Sequence, residues 1–174
     1  FEFNGLAAFH PDAMRAGLAA VLSGPRAIVA DVEMICVGLS APRLQHFGLS
    51  PRHYISDADV IERARAENTT RAVQAMRKAW RRGELDGAIV GIGNAPTALI
   101  EVVRLIREHD VRPALVIGMP VGFVSAAESK DLLRTLGEVP WITVKGRKGG
   151  STLVVAAIHA LLSLAEATQR QRAA

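Results

Sequence analysis

Few residues in this chain have the types and spacing that acid–base or metal chemistry needs. Five histidines, His10, His46, His53, His109 and His159, lie far apart with no acid or nucleophile at a useful spacing. Each reads as a surface or core histidine rather than a catalyst. Cys36 is the one cysteine, which excludes an internal disulfide framework and fits a reducing compartment. No His or Cys cluster has ligand spacing, so no metal is expected. No serine, threonine or cysteine stands out as a nucleophile. What the chain does carry is glycine-rich loops: "GIGNAPTA" (91–98), "GMPVGFVSAAESK" (118–130) and "GRKGGST" (146–152). Loops of this kind, opening onto helices, offer backbone N–H groups and helix N-termini to an anion.

The loops do not fit the common nucleotide motifs. In "GIGNAPT", the position of the third glycine of a dinucleotide fingerprint is held by Pro96, and the P-loop pattern is not met by "GRKGGST". Asn94 and Thr97 either hydrogen-bond a ligand or cap the helix starting at Pro96, and capping is the commoner use of such residues. Lys130, in the first turns of a helix after "AAES", opposes the helix dipole unless something negative is near. Arg71, after "ENTT", reads as mid-helix on a solvated face.

These loops must be positioned by strands and helices. Short apolar runs at 26–31, 86–93, 113–119 and 141–146 read as buried strands. Helices are expected at 11–22, 57–80, 96–109, 126–136 and 151–167. The segment 32–54, with two prolines and two glycines, reads as an excursion of short helix and loop. The tail "EATQRQRAA" reads as a fraying helix end. Alternation of strands and helices predicts an α/β fold of three layers, a mostly parallel sheet flanked by helices on both faces. In such sheets ligands bind at the carboxyl ends of the strands, where the glycine loops fall, together with "DVEM" (31–34).

Composition sets the outer limits. The 174 residues are 49% apolar and 22% charged, suited to one domain, 1–174, with a real core. No apolar run approaches the roughly 20 residues of a membrane span, and "FEFNG" is not a signal peptide, so a soluble, cytoplasmic protein without a membrane partner is expected. The opening has no Met and reads like the middle of something. A formal charge of +4 suggests an anionic partner. Scattered arginines and few aromatics argue against nucleic acid and equally fit a polycarboxylate or phosphate.

At the loops the sequence closely resembles a known family. "GNAPTAL" (93–99), "GMPVGFVSAAESK" (118–130) and "GRKGGS" (146–151), in this order, with "DVEM" and "TR" (70–71) in place, resemble precorrin-8X methylmutase, or precorrin isomerase, over nearly the whole chain. The resemblance implies an isomerase of cobalamin biosynthesis. Such an enzyme moves a methyl group from C11 to C12 of the corrin ring, turning precorrin-8X into hydrogenobyrinate, or cobalt-precorrin-8 into cobyrinate. No redox cofactor is implied, and family members are homodimers with the ligand near the subunit interface.

The implied substrate contacts are Arg71, the leading one, with Thr70, Ser40, Arg43, Asn94, Thr97, Gly122, Lys130, Arg147, Gly149, Gly150 and Ser151. The family's "TRS" becomes Thr70-Arg71-Ala72 here, and Ser125 replaces a usual glycine. The family's catalytic histidine lies upstream of Phe1, so no catalytic residue is expected among the five histidines. The small residues would clear space for a macrocycle while amides and helix ends hold its carboxylates. Two other readings are a non-catalytic tetrapyrrole-binding module and a nucleotide-binding α/β domain with a phosphate on residues 91–97.

Overall fold

The computed structural model describes residues 3–173; Phe1 and Glu2, at the opening without Met, and Ala174 of the tail lie outside them. Strands and helices are numbered in chain order. The strands are β1 (Ala7–Phe9), β2 (Arg26–Ala30), β3 (Leu49–Arg52), β4 (Ile89–Ile92), β5 (Leu115–Gly118) and β6 (Trp141–Val144). The helices are α1 (Ala13–Leu22), α2 (Glu33–Val37), α3 (Ala41–Phe47), α4 (Ala58–Ala66), α5 (Arg71–Arg81), α6 (Pro96–His109), α7 (Ala126–Arg134) and α8 (Ser151–Ala173).

The strands form one sheet in the order β1-β6-β5-β4-β2-β3. Every pairing is parallel except β1 with β6. Every residue of β4, β5 and β6 is buried, because helices cover both faces and leave no solvated side to call for alternation. One core cluster joins Val90, Val116 and Trp141 to residues of α4, α5, α6 and α7. The other joins Ile28, Ile89 and Ile117 to residues of α1, α2, α3 and α8. The expected three-layer α/β architecture is present.

Three elements differ from expectation. The helix expected over 57–80 is two helices. Asn68 adopts a left-handed conformation at φ 50°, and the Thr70 side chain accepts the Val73 N–H at 3.2 Å as a fresh N-cap. Asn tolerates that conformation and Thr caps well, so "ENTT" ends one helix and starts the next. Arg71 is therefore the first residue of α5, not a mid-helix residue. The segment 32–54 contains, besides α2 and α3, the strand β3, in which Pro51 pairs with Ile28. Proline is tolerated there because β3 is an edge strand. The short antiparallel β1 was likewise not expected.

Helix α8 runs 23 residues and is long and apolar enough, by length and composition alone, to cross a bilayer. That corrects the expectation that no apolar run approaches this length. Its stripe of Val154, Ile158, Leu161, Leu162 and Ala165 is buried in the core. Here the helix packs on one face of the sheet together with α1, α2 and α3.

Candidate active site

From β2 the chain steps outward to β3, then crosses β2 to reach β4 and continues in that direction through β5 and β6. The switch point thus lies between β2 and β4, at the carboxyl ends where an open α/β sheet forms its crevice. Asp31, the residue after β2, is buried there. Its Oδ1 accepts the N–H of Gly93 at 3.0 Å. Its Oδ2 accepts those of Asn94 at 2.9 Å and Ala95 at 2.7 Å. Burial pushes the carboxyl pKa up, while the amides of Gly93, Ala95 and Asn94 pull the other way.

This corrects the anion reading of residues 91–97. The amides expected to hold a carboxylate or phosphate already hold Asp31, and the nucleotide-binding alternative loses its phosphate seat. Capping of α6 by Asn94 or Thr97 also does not occur, because the N-cap is Ala95 without a side-chain bond. Instead Thr97 Oγ1 lies 3.0 Å from Thr70 Oγ1, bringing the start of α6 to the start of α5.

The loops after β5 and β6 are laced together beside this point. Gly150 N–H donates to Met119 O at 2.8 Å, and Gly122 N–H to Arg147 O at 3.3 Å. A Cβ on Gly149 would lie 2.3 Å from Met119 O, and one on Gly93 2.5 Å from Ser151 Cα. These glycines let the loops after β4, β5 and β6 approach one another, so the expectation that they clear space for a ligand is corrected: the protein's own backbone fills that space. Gly122 differs, since φ 145° demands glycine while only Ala126 Cβ, at 4.0 Å, comes near.

Apart from Asn94, whose N–H is held by Asp31, the expected contacts fall into three groups. Thr70, Arg71 and Thr97 come together, and Arg71 lines a groove of about 460 Å³ with Ile61, Ala64, Arg65, Asn68 and Thr69. Gly122 and Arg147 line a second recess of about 260 Å³ with Val121, Phe123 and Lys148, while Gly149, Gly150 and Ser151 continue the same loop into α8. Arg71 and Arg147 are exposed and make no ion pair among the described residues. An unpaired arginine at the first position of α5 opposes the helix dipole, which is a reason to look for an anionic ligand.

The third group is taken up by contacts within the protein. Arg43 Nε donates to Glu166 Oε1 at 2.7 Å and Nη2 to Ser163 Oγ at 2.8 Å, with Nη1 3.1 Å from His159 Nδ1. Those partners begin eight residues into α8, about 12 Å along its axis from the rim. Arg43 fastens α3 to α8, and Ser40, the N-cap of α3, sits beside it without a side-chain cap. Lys130 is fully buried, and its Nζ donates to Lys148 O at 2.7 Å. Burial lowers its pKa. It ties α7 to the loop after β6 instead of presenting a cation to solvent. Both corrections arise from tertiary contacts that chain order does not display.

Asp31 is the residue whose importance the sequence understates. Its signal was present, an acid directly after an apolar strand, but the amides it meets lie over sixty positions away. Cys36 is half-buried, and burial pushes its thiol up to about 11. His10 accepts the Asp12 N–H, His46 pairs with Gln169, and His109 stacks on Trp80.

Fold and rim define a doubly wound α/β protein with interlocked loops at the carboxyl ends of its strands and two exposed arginines in separate recesses. The model of the family described as precorrin-8X methylmutase matches residues 1–164. A cobalt-precorrin-8 methylmutase of Priestia megaterium is 54% identical over 166 residues, covering 95% of this chain and 72% of the relative. A precorrin-8X methylmutase of Pseudomonas aeruginosa is 40% identical, covering 94% and 74%. The crystal structure of precorrin-8X methyl mutase from Thermus thermophilus superposes with a TM-score of 0.87 at 47% identity, covering 96% of this chain and 80% of that one. The chain belongs to the precorrin-8X methylmutase family, whose members are isomerases of cobalamin biosynthesis.

Proposed function

We propose that this chain, as one domain spanning 1–174, takes part in the methyl migration from C11 to C12 of a corrin macrocycle. Precorrin-8X would give hydrogenobyrinate, or cobalt-precorrin-8 would give cobyrinate. The migration is intramolecular: the bond from the methyl to C11 breaks as the bond to C12 forms, with no net oxidation. The protein's part is to bind the ring, hold it in one orientation and place a proton. Family membership carries the reading, and the two unpaired arginines of the rim support it. Arg71 and Arg147 offer their guanidiniums to ring carboxylates, in the fork geometry that suits such groups. Thr70 and Thr97 hold the start of α5, and with it Arg71, against α6. The proton-placing group is not assigned to any of the five histidines, since the resemblance puts the family's histidine upstream of Phe1.

The protein is proposed to work in the cytoplasm as a homodimer. An apolar groove of about 280 Å³ lined by Phe9, Met14, Met119, Ile142 and Leu161, among others, supports a subunit contact. Light scattering of the purified protein tests it, and a monomeric mass would remove it.

The deciding experiment is titration with hydrogenobyrinate, followed by visible absorbance, beside NAD and ATP as controls. Saturable binding of the corrinoid with a shifted spectrum is expected. Arg71→Ala should weaken it about ten-fold or more, the loss of one charge-assisted pair, without lowering the thermal midpoint. Binding of a nucleotide alone would overturn the reading.

A further inference from the structure

The loop after β5 carries three side chains to which the proposed function gives no part. Phe123 is 86% exposed, Val124 81% and Val121 48%. Large apolar groups so exposed at adjacent positions are unusual on a free surface and point to something that covers them. The loop holds them out by local backbone geometry. Gly122 at φ 145° turns the chain before Phe123, and Ser125, left-handed at φ 59°, turns it again before α7. The Gly122 N–H bond to Arg147 O fixes this segment against the loop after β6. Phe123 and Arg147 therefore line one recess, which brings an aromatic residue and a cation to the same hollow.

That pairing of chemistries matches one kind of ligand, a broad apolar face bordered by carboxylates. We infer that Phe123, with Val124 beside it, covers the face of the bound macrocycle while Arg147 takes a carboxylate at its edge. The inference rests on the proposed function and adds to it the residues that recognise the ring's apolar face. A second copy of the chain is the competing occupant. It is disfavoured because a stable subunit contact buries on the order of 800 Å² per partner, and this patch is a loop tip of three side chains at the strands' carboxyl ends.

The test uses the full chain with hydrogenobyrinate as the probe. Phe123→Ala should raise Kd by about 10- to 100-fold, the loss of one well-covered aromatic contact, with an unchanged thermal midpoint because the side chain is exposed. Phe123→Leu should restore part of the affinity. In Phe123→Trp, the added fluorescence, taken over the parent's Trp80 and Trp141, should be quenched as the ring binds. An unchanged Kd in Phe123→Ala, while Arg71→Ala binds weakly, would overturn the inference and leave the proposed function standing. A drop in assembly mass with unchanged Kd would assign the patch to a subunit contact and overturn it too. If the parent chain binds no corrinoid, the proposed function fails and the inference fails with it.

Discussion

Asp31 Oδ2 and the N–H of Ala95 lie 2.7 Å apart although 64 positions separate them. The bond joins the end of β2 to the start of α6 across the switch point of the sheet. With Gly93 and Asn94 donating as well, one carboxylate organises the whole turn after β4. Replacing Asp31 by Ala strands three amides, that of Gly93 buried and those of Asn94 and Ala95 part-buried. The expected loss is about 2 kcal/mol, since an unpaired buried donor costs on the order of 1–3 kcal/mol and the two part-buried ones cost less. Asp31→Asn should also destabilise, because the amide N–H₂ would face donors. Urea denaturation reads both; a loss under about 1 kcal/mol would mean water substitutes for the carboxylate.

Gly149 and Gly137 make a matched pair of tests for the loop packing. A Cβ at Gly149 would meet Met119 O at 2.3 Å and Pro120 O at 2.8 Å, both backbone atoms. Gly149→Ala should therefore cost about 2 kcal/mol or more through forced backbone shifts. Around Gly137 nothing lies within 4 Å, so Gly137→Ala should stay within about 0.5 kcal/mol of the parent. Equal melting curves for the two variants would dismiss the interlocked-loop account.

Arg43 and Arg71 should separate stability from binding. Arg43→Ala removes the clamp of α3 on Glu166, Ser163 and His159. A thermal midpoint lower by a few degrees is expected, with the Kd for hydrogenobyrinate unchanged. Arg71→Ala should do the reverse. A Kd that rises in Arg43→Ala with an intact midpoint would return Arg43 to the site.

Glu101 should set part of the acid limit of stability. It is bonded by Arg77 Nε at 2.9 Å and Arg104 Nη2 at 2.7 Å. Burial alone would raise its pKa, but Arg104 and Arg77 hold it below its ordinary value of 4.5. A depressed folded-state pKa means stabilisation that is present above the ordinary value and lost as pH falls through the folded one. Thermal midpoints should therefore drop below about pH 4.5. Glu101→Gln should cost on the order of 1–2 kcal/mol of stability at pH 7 for a partly screened pair, lowering the midpoint there and making that acid slope shallower. A slope identical to the parent's would show that other carboxylates set the limit.

The chain order made much of this readable. Continuous apolar runs are what strands covered on both faces must have, so β2, β4, β5 and β6 were visible as buried parallel strands. Pro96 at a first turn marked the start of α6 correctly. The break between α4 and α5 was written in Asn68 and Thr70 but was outweighed by helical periodicity on either side. Strand β3 was hidden by Pro51, whose tolerance depends on lying at an edge, a property of the finished sheet.

For the rim the division is sharper. Local residue types determined where the loops lie, which helices they open, and that positive charge and glycine gather there, because turn geometry and helix starts are short-range properties. Only the folded chain decided which groups remain available. It gave the amides of residues 93–95 to Asp31, Lys130 to the Lys148 carbonyl and Arg43 to α8, and it left Arg71, Arg147 and Phe123 outward. Those assignments depend on contacts between segments tens of residues apart, and hydrogen-bond partners at such separations are set by how helices and strands pack.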